Sequence, residues 1–303
     1  MALLFTALFV LVPLIWLPWT SELFEFNKLM LTYVIAILIG TTWAIKCILA
    51  KKIIFRKTAL DIPLLLFLGF GILSLGFSID IHTSWYGYYS RWNGGLLSLL
   101  TYAFLYWAYV SNMTRKSTLS LVTMSLVTSG IISIYAVFEH FGYSASCFLV
   151  TASFNVACWV QDVQNRVYAT MGQPNWLAAY LVSLIFIPLT NLLKSLNQKI
   201  SNTTNKKVIW HLILRDLLIF CLLFATLLFT KSRSGLLAFG ISSVVFWGMQ
   251  QNKKMLLVPI VIWSLVIGTL TLVVKNPIRD LIIKPPVVEK TVGPALEVGG
   301  TES

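Results

Sequence analysis

Nine apolar stretches succeed one another along the chain, at 2–19, 28–50, 61–79, 94–110, 118–139, 175–193, 212–230, 234–250 and 255–274. Each comes close to the ~20 residues that an α-helix needs to cross a hydrocarbon core of ~30 Å. Of the 303 residues, 57% are apolar and 11% charged, against roughly 25% charged in a soluble domain. The mean hydropathy of +0.81 exceeds what a soluble core of this size can hide. This excludes disorder, a coiled coil, a collagen-like repeat and a soluble enzyme. Length alone suggests two domains, but the apolar runs override it. The expected fold is an all-α polytopic membrane protein of about nine transmembrane helices, with residues 1–274 forming one bundle. Gly69, Gly71, Gly76, Gly130 and Pro188 fall inside spans, where neighbouring helices re-satisfy the backbone. The first span has no cation before it and no small-residue cleavage site, and it ends in Trp16, Pro18 and Trp19. It reads as a retained helix rather than a signal peptide.

Charge orients the bundle. If nine helices alternate, the loops 51–60, 111–117, 194–211 and 251–254 share one side. That side, with Lys46 and Arg215, holds 14 cations and the two acids Asp61 and Asp216; the other holds nine cations and nine acids. The net charge of +12 therefore lies on one face, which the positive-inside rule makes cytoplasmic. The protein is expected in the plasma (inner) membrane with its N-terminus cytoplasmic. Anionic membrane lipids and insertion bias account for the basic balance, and no nucleic acid is needed. Residues 275–303 would then lie outside. Their last part, KPPVVEKTVGPALEVGGTES, has no span and no periodicity, and reads as the start of a truncated extracytoplasmic segment or as a disordered tail.

Ionisable groups at a membrane edge are costly and usually face a cavity or a headgroup. Three outer places carry them. Loop 80–95, DIHTSWYGYYSRWNGG, surrounds Arg91 with aromatic rings; rings suit sugar faces and a guanidinium suits phosphate, though an interfacial aromatic belt has the same composition. The run RVYATMGQPN over 166–175 carries Arg166 and a turn in which Asn175 can cap span six. An outward helix N-terminus attracts anions; the plainer reading is a helix start beside a solvated arginine. The short turn TKSRSG over 230–235 holds Lys231, Ser232, Arg233 and Ser234. Its cations oppose the positive-inside bias, Ser234 can cap span eight, and two cations at a helix start suit a diphosphate. The plainer reading is a pair of cations snorkelling to headgroups.

Other chemistry finds little support. His82, His140, His211 and the four cysteines lack metal-ligand spacing, and no phosphate loop, dinucleotide fingerprint or serine elbow occurs. No metal or cofactor is expected. His82 and His140, the latter beside Glu139, lie on the outer side, but lone loop histidines are usually plain surface residues. Cys147 and Cys158 share one outer loop, where an oxidising compartment would let them pair.

The ordered set of an arginine (Arg166), a GxPN turn (Gly172, Pro174 and Asn175) and a TxSRxG turn (Thr230, Ser232, Arg233 and Gly235) resembles the O-antigen ligase family of lipid-linked polysaccharide ligases and related polymerases. The Arg91–Gly95 turn is similar to an earlier loop of that family. The resemblance implies a glycosyltransferase-C-like ligase bundle. It also implies a glycosyltransferase that moves a glycan from an undecaprenyl-diphosphate-linked donor to a lipid or protein acceptor at the outer leaflet, without a metal. Arg166 and Arg233 would be catalytic, converging on one diphosphate and stabilising the leaving group. Arg91, Lys231, Ser232, Ser234 and Asn175 would bind substrate. A later outer loop of the family carries a histidine taken as the general base; this chain reaches Ser303 without that motif, so the fragment alone is expected to be inactive. A polysaccharide polymerase of the same family is the nearest alternative. A polytopic transporter or lipid flippase would show ionisable groups at mid-membrane and inverted repeats, whereas the polar groups here gather at one interface.

Overall fold

The computed structural model describes residues 1–20, 22–200, 206–250 and 257–274. The 275–303 segment assigned to an extracytoplasmic domain lies outside the described residues, as do Lys253 and Lys254. The fold is all-helical, with two isolated β-bridges and no strand among the described residues. The helices are α1 Ala2–Leu14, α2 Glu25–Ala50, α3 Asp61–Leu75, α4 Ile81–Tyr86, α5 Leu96–Asn112, α6 Arg115–His140, α7 Ala145–Thr151, α8 Pro174–Leu184, α9 Phe186–Ile200, α10 Lys206–Phe229, α11 Arg233–Gly248 and α12 Leu257–Val273.

A helix falls in each of the nine apolar intervals. Among the described residues, four helical stretches, Glu25–Ala50, Arg115–His140, Pro174–Leu196 and Lys207–Phe229, are long and apolar enough to cross a membrane. Outward-facing side chains are apolar too. On α3, Leu65, Leu66, Phe67, Phe70 and Leu73 are exposed, as expected of helices whose solvent is lipid.

Two boundaries differ from the sequence expectation. The first helix stops at Leu14, not near residue 19. Ile15 is extended, and the Lys28 ammonium bonds the Pro13 and Ile15 carbonyls at 3.4 and 2.5 Å. A cation on a helix C-terminus satisfies its orphan carbonyls and suits its dipole. The sixth interval is two helices, broken between Leu184 and Phe186. Pro188 explains the break, because a proline clashes with the carbonyl four residues earlier, here that of Leu184.

Helices pack in two groups. Phe5, Ile39, Ala108 and Leu121 join α1, α2, α5 and α6. Leu177, Leu181, Leu223, Leu227 and Phe239 join α8, α10 and α11, with Ile132 and Ala136 from α6. The buried face of α6 carries Ser125, Thr128, Ser129 and Ser133; small side chains let helices approach closely.

Polar contacts sort the helix ends into two sets. At one end Lys46 bonds Asn112 at 3.0 Å, Arg56 N–H bonds Ser111 at 3.1 Å, and Tyr109 bonds Thr118 at 3.1 Å. At the other, Thr170 bonds the Pro13 carbonyl at 2.7 Å and Asn93 bonds Glu25 at 2.6 Å. All three polar regions singled out in the sequence lie at this second end.

Candidate functional site

The turn between α10 and α11 is built by short-range hydrogen bonds. Lys231 takes a left-handed backbone, φ 48°, just past the end of α10, a place usually given to glycine. Ser232 Oγ accepts the Gly235 N–H at 3.1 Å and so caps α11, while Thr230 Oγ1 accepts the Ser232 N–H at 3.2 Å. The cap is therefore Ser232, not Ser234. Serine at either position satisfies the same local rule; the Thr230 contact decides between them.

Asn175 also departs from expectation. The N-cap of α8 is Gln173, with no side-chain bond, and Pro174 occupies the first turn. Asn175 instead accepts a hydrogen bond from Ser232 Oγ at 2.8 Å, and Ser232 and Ser234 hydroxyls lie 3.1 Å apart. The starts of α8 and α11 are thus tied side by side. Glycine at 235 allows this, since a Cβ there would stand 2.5 Å from the Ala178 Cβ.

The loop before α8 joins the same corner. Arg166 Nε donates to the Thr230 carbonyl at 3.3 Å, and Val167 N–H donates to the Phe229 carbonyl at 3.3 Å. Arg166 caps the C-terminus of α10, where a cation suits the dipole. Lys231 Nζ donates to Asn165 Oδ1. Arg166 and Arg233 are exposed. Neither Arg233 nor the terminal guanidinium nitrogens of Arg166 bond a described residue. The chain thus brings the Arg166 and Arg233 segments into contact. Arg91 sits elsewhere, with Glu25 at 3.4 Å and its guanidinium over the Trp176 and Tyr88 rings at 5.4 and 5.6 Å.

Arg91, Gln173 and Trp176 also line a chamber of about 440 Å³. Trp16, Trp159 and Tyr168 form much of its wall. Trp159 packs edge-on to Tyr168 at 5.8 Å and to Trp16 at 6.5 Å. Burial pushes the Tyr168 phenol above its ordinary range, so it stays neutral. A disulfide joins Cys147 and Cys158, fixing the wall beside Trp159. Gly172, φ 80°, lets Phe24 pack against the turn, as a Cβ there would meet the Phe24 ring at 2.6 Å.

The first turn of α8 thus separates two places. Gln173 and Trp176 face the chamber, while Asn175 holds the cationic turn. Beside the chamber, a trough of about 550 Å³ is lined by Phe9, Val12 and Pro13 of α1, Tyr102 and Tyr106 of α5, and Tyr180 of α8.

Glu139 and His140, given no role in the sequence beyond their adjacency, hold this corner together. Glu139, 0% exposed, accepts the Ala169 N–H at 2.9 Å, and Ala169 has φ 49°. His140 Nδ1 contacts the Gln164 carbonyl at 2.7 Å and its ring stacks on Phe229 at 4.0 Å. The adjacency of Glu139 and His140 at a span end was the only signal. His82 lies apart, its ring tilted 44° to that of Tyr86 with centres 4.8 Å apart. No group of three metal-ligating side chains occurs among the described residues. No protein family, curated protein or solved structure matches the chain.

Proposed function

We propose that the chain is the membrane part of a glycosyltransferase of the O-antigen ligase type, and that its cationic corner holds the diphosphate of an undecaprenyl-linked glycan. The observation that carries this reading is the Arg166–Thr230 bond, which gathers Arg166, Lys231 and Arg233 where α11 begins. The Arg233 and Ser234 amides, in the first turn of α11, add donors. The trough beside α1, α5 and α8 suits a polyprenyl chain.

In the reaction, an acceptor hydroxyl or amine attacks the anomeric carbon of the donor. The bond from that carbon to the diphosphate oxygen breaks, and the bonding electrons leave with the diphosphate. Arg166 and Arg233 stabilise the added negative charge, which is where preorganised cations act most strongly. The acceptor proton passes to a base that the family resemblance assigns to a later loop. About nine spans, a plasma-membrane location and a cytoplasmic N-terminus complete the proposal. A polymerase would use the same donor corner.

The test is binding of undecaprenyl diphosphate to the whole chain in lipid nanodiscs, read by native mass spectrometry. Wild type retains undecaprenyl diphosphate over undecaprenol. Arg166→Ala and Arg233→Ala each weaken it about tenfold or more, as loss of a charged hydrogen bond of ~1.5–3 kcal/mol requires. Arg233→Lys restores it in part, since lysine lacks the two-pronged donor. In a transfer-competent protein Arg233→Ala lowers turnover on the order of 10²–10³-fold. Equal retention of both lipids, or unchanged binding in the double variant, overturns the reading.

A further inference from the structure

We infer that the aromatic chamber at the start of α8 is a pyranose-binding subsite, built to hold a sugar ring beside the cationic turn. The inference deepens the proposed function by naming where a sugar ring of the donor glycan sits, but its evidence is separate. At about 440 Å³ the chamber falls within the ~300–1,000 Å³ of small-molecule sites. It combines the two kinds of group that a pyranose needs. The indoles of Trp16 and Trp159 and the ring of Tyr168 supply apolar surface for the C–H face of the sugar. The side-chain amides of Gln161 and Gln173 line the same space and bond no described residue. Each offers a donor and an acceptor, which matches hydroxyl groups that are both. Glu22 adds a carboxylate already oriented, as its Oε2 accepts the Phe26 N–H at 2.6 Å.

The walls are fixed before any ligand arrives. Trp159 Nε1 donates to Ser144 Oγ at 3.2 Å, and the residue before it is cross-linked to Cys147. Preorganisation of this kind reduces the ordering cost of binding. The apolar trough deeper along α1 and α8 has no such free amides, so the chamber does not suit a lipid chain. An aromatic box with a carboxylate also resembles a quaternary-ammonium cage. Arg91 argues against that occupant, because its guanidinium lines the same chamber and lies 5.4 Å from the Trp176 ring centre. On the far side of the first turn of α8 Asn175 touches Ser232, so the chamber takes a ring further along the glycan than the one that carries the diphosphate.

The experiment is saturation-transfer NMR on the whole chain in nanodiscs. The probes are methyl glycosides of glucose, galactose, mannose, rhamnose and N-acetylglucosamine, with choline as a control. Each is used at roughly 10 mM, which saturates a site of Kd ~1 mM. At least one glycoside receives saturation and choline does not. Gln161→Leu and Gln173→Leu each reduce the signal several-fold with helical circular dichroism and melting unchanged, and Trp159→Leu abolishes it. Arg233→Ala leaves the glycoside signal intact, so failure of diphosphate binding and failure of this inference are told apart. No transfer to any glycoside, a choline signal in their place, or glycoside signals unaffected by all three chamber variants overturns the inference.

Discussion

Ser232 shows how much one small side chain does at this corner. Its hydroxyl caps α11 and bonds Asn175 of α8, and its backbone N–H is held by Thr230. Ser232→Ala should cost about 1 kcal/mol from the lost cap. Because Asn175 loses its partner as well, the double variant with Asn175→Ala should cost less than the two single losses added, by ~0.5 kcal/mol or more. Reversible thermal unfolding of the four proteins in one detergent checks this; strict additivity would mean that the contact carries no energy. That Ser232 rather than Ser234 caps the helix was not legible, because both serines sit at equivalent distances from a following amide. The choice came from Thr230. Arg166 was legible as a partner of the 230–235 turn only through the order of motifs, 64 residues apart in sequence. Its bond to a helix-end carbonyl was not. Glu25 entered the sequence reading only as one unit of charge, yet it pairs with Arg91 at 3.4 Å.

At the scale of elements, the α8–α11 crossing is the joint on which the corner depends. The Ala178 Cβ stands 2.5 Å from where any side chain at 235 would begin. Gly235→Ala should therefore push the two helix starts apart and destabilise by ~1–3 kcal/mol, the usual cost of overpacking. Undecaprenyl diphosphate retention should fall in the same variant, because the Asn175–Ser232 contact opens. Gly240→Ala on the same helix has open space at its Cβ and should leave both melting and retention near wild type. Parallel melts and lipid-retention assays separate the two outcomes. The helices themselves were legible from apolar runs, since every interval marked in the sequence contains one. Their ends were not. Lys28 bonds the end of α1 and so marks where that helix stops, a contact between residues 13 and 15 apart that no local pattern displays. The shared loop left Cys147 and Cys158 either paired or free, and the structure joins them in a disulfide.

For the whole molecule, the two sets of helix ends predict which loops share a side of the membrane. Lys52 lies in the loop at the end marked by the Lys46–Asn112 bond, and Ser90 lies in the loop at the Glu25 end. With Cys47 and Cys221 replaced, a membrane-impermeant maleimide added to intact cells should label Ser90→Cys. Lys52→Cys should react only after permeabilisation. The reverse pattern would invert the topology and move the cationic corner to the cytoplasm. The helix lengths carry one more consequence. α1 has 13 residues, α3 has 15 and α11 has 16. At ~1.5 Å per residue these cover roughly 20–24 Å, less than a hydrocarbon core of ~30 Å. On the proposed nine-span reading, bilayer beside such short walls must thin to meet them. Of the three, α1 lines the trough and α11 begins at the cationic turn. A lipid drifting toward that corner would find its headgroup carried down by the membrane's own dip, which on the same reading makes bilayer thickness a control on delivery of the proposed donor.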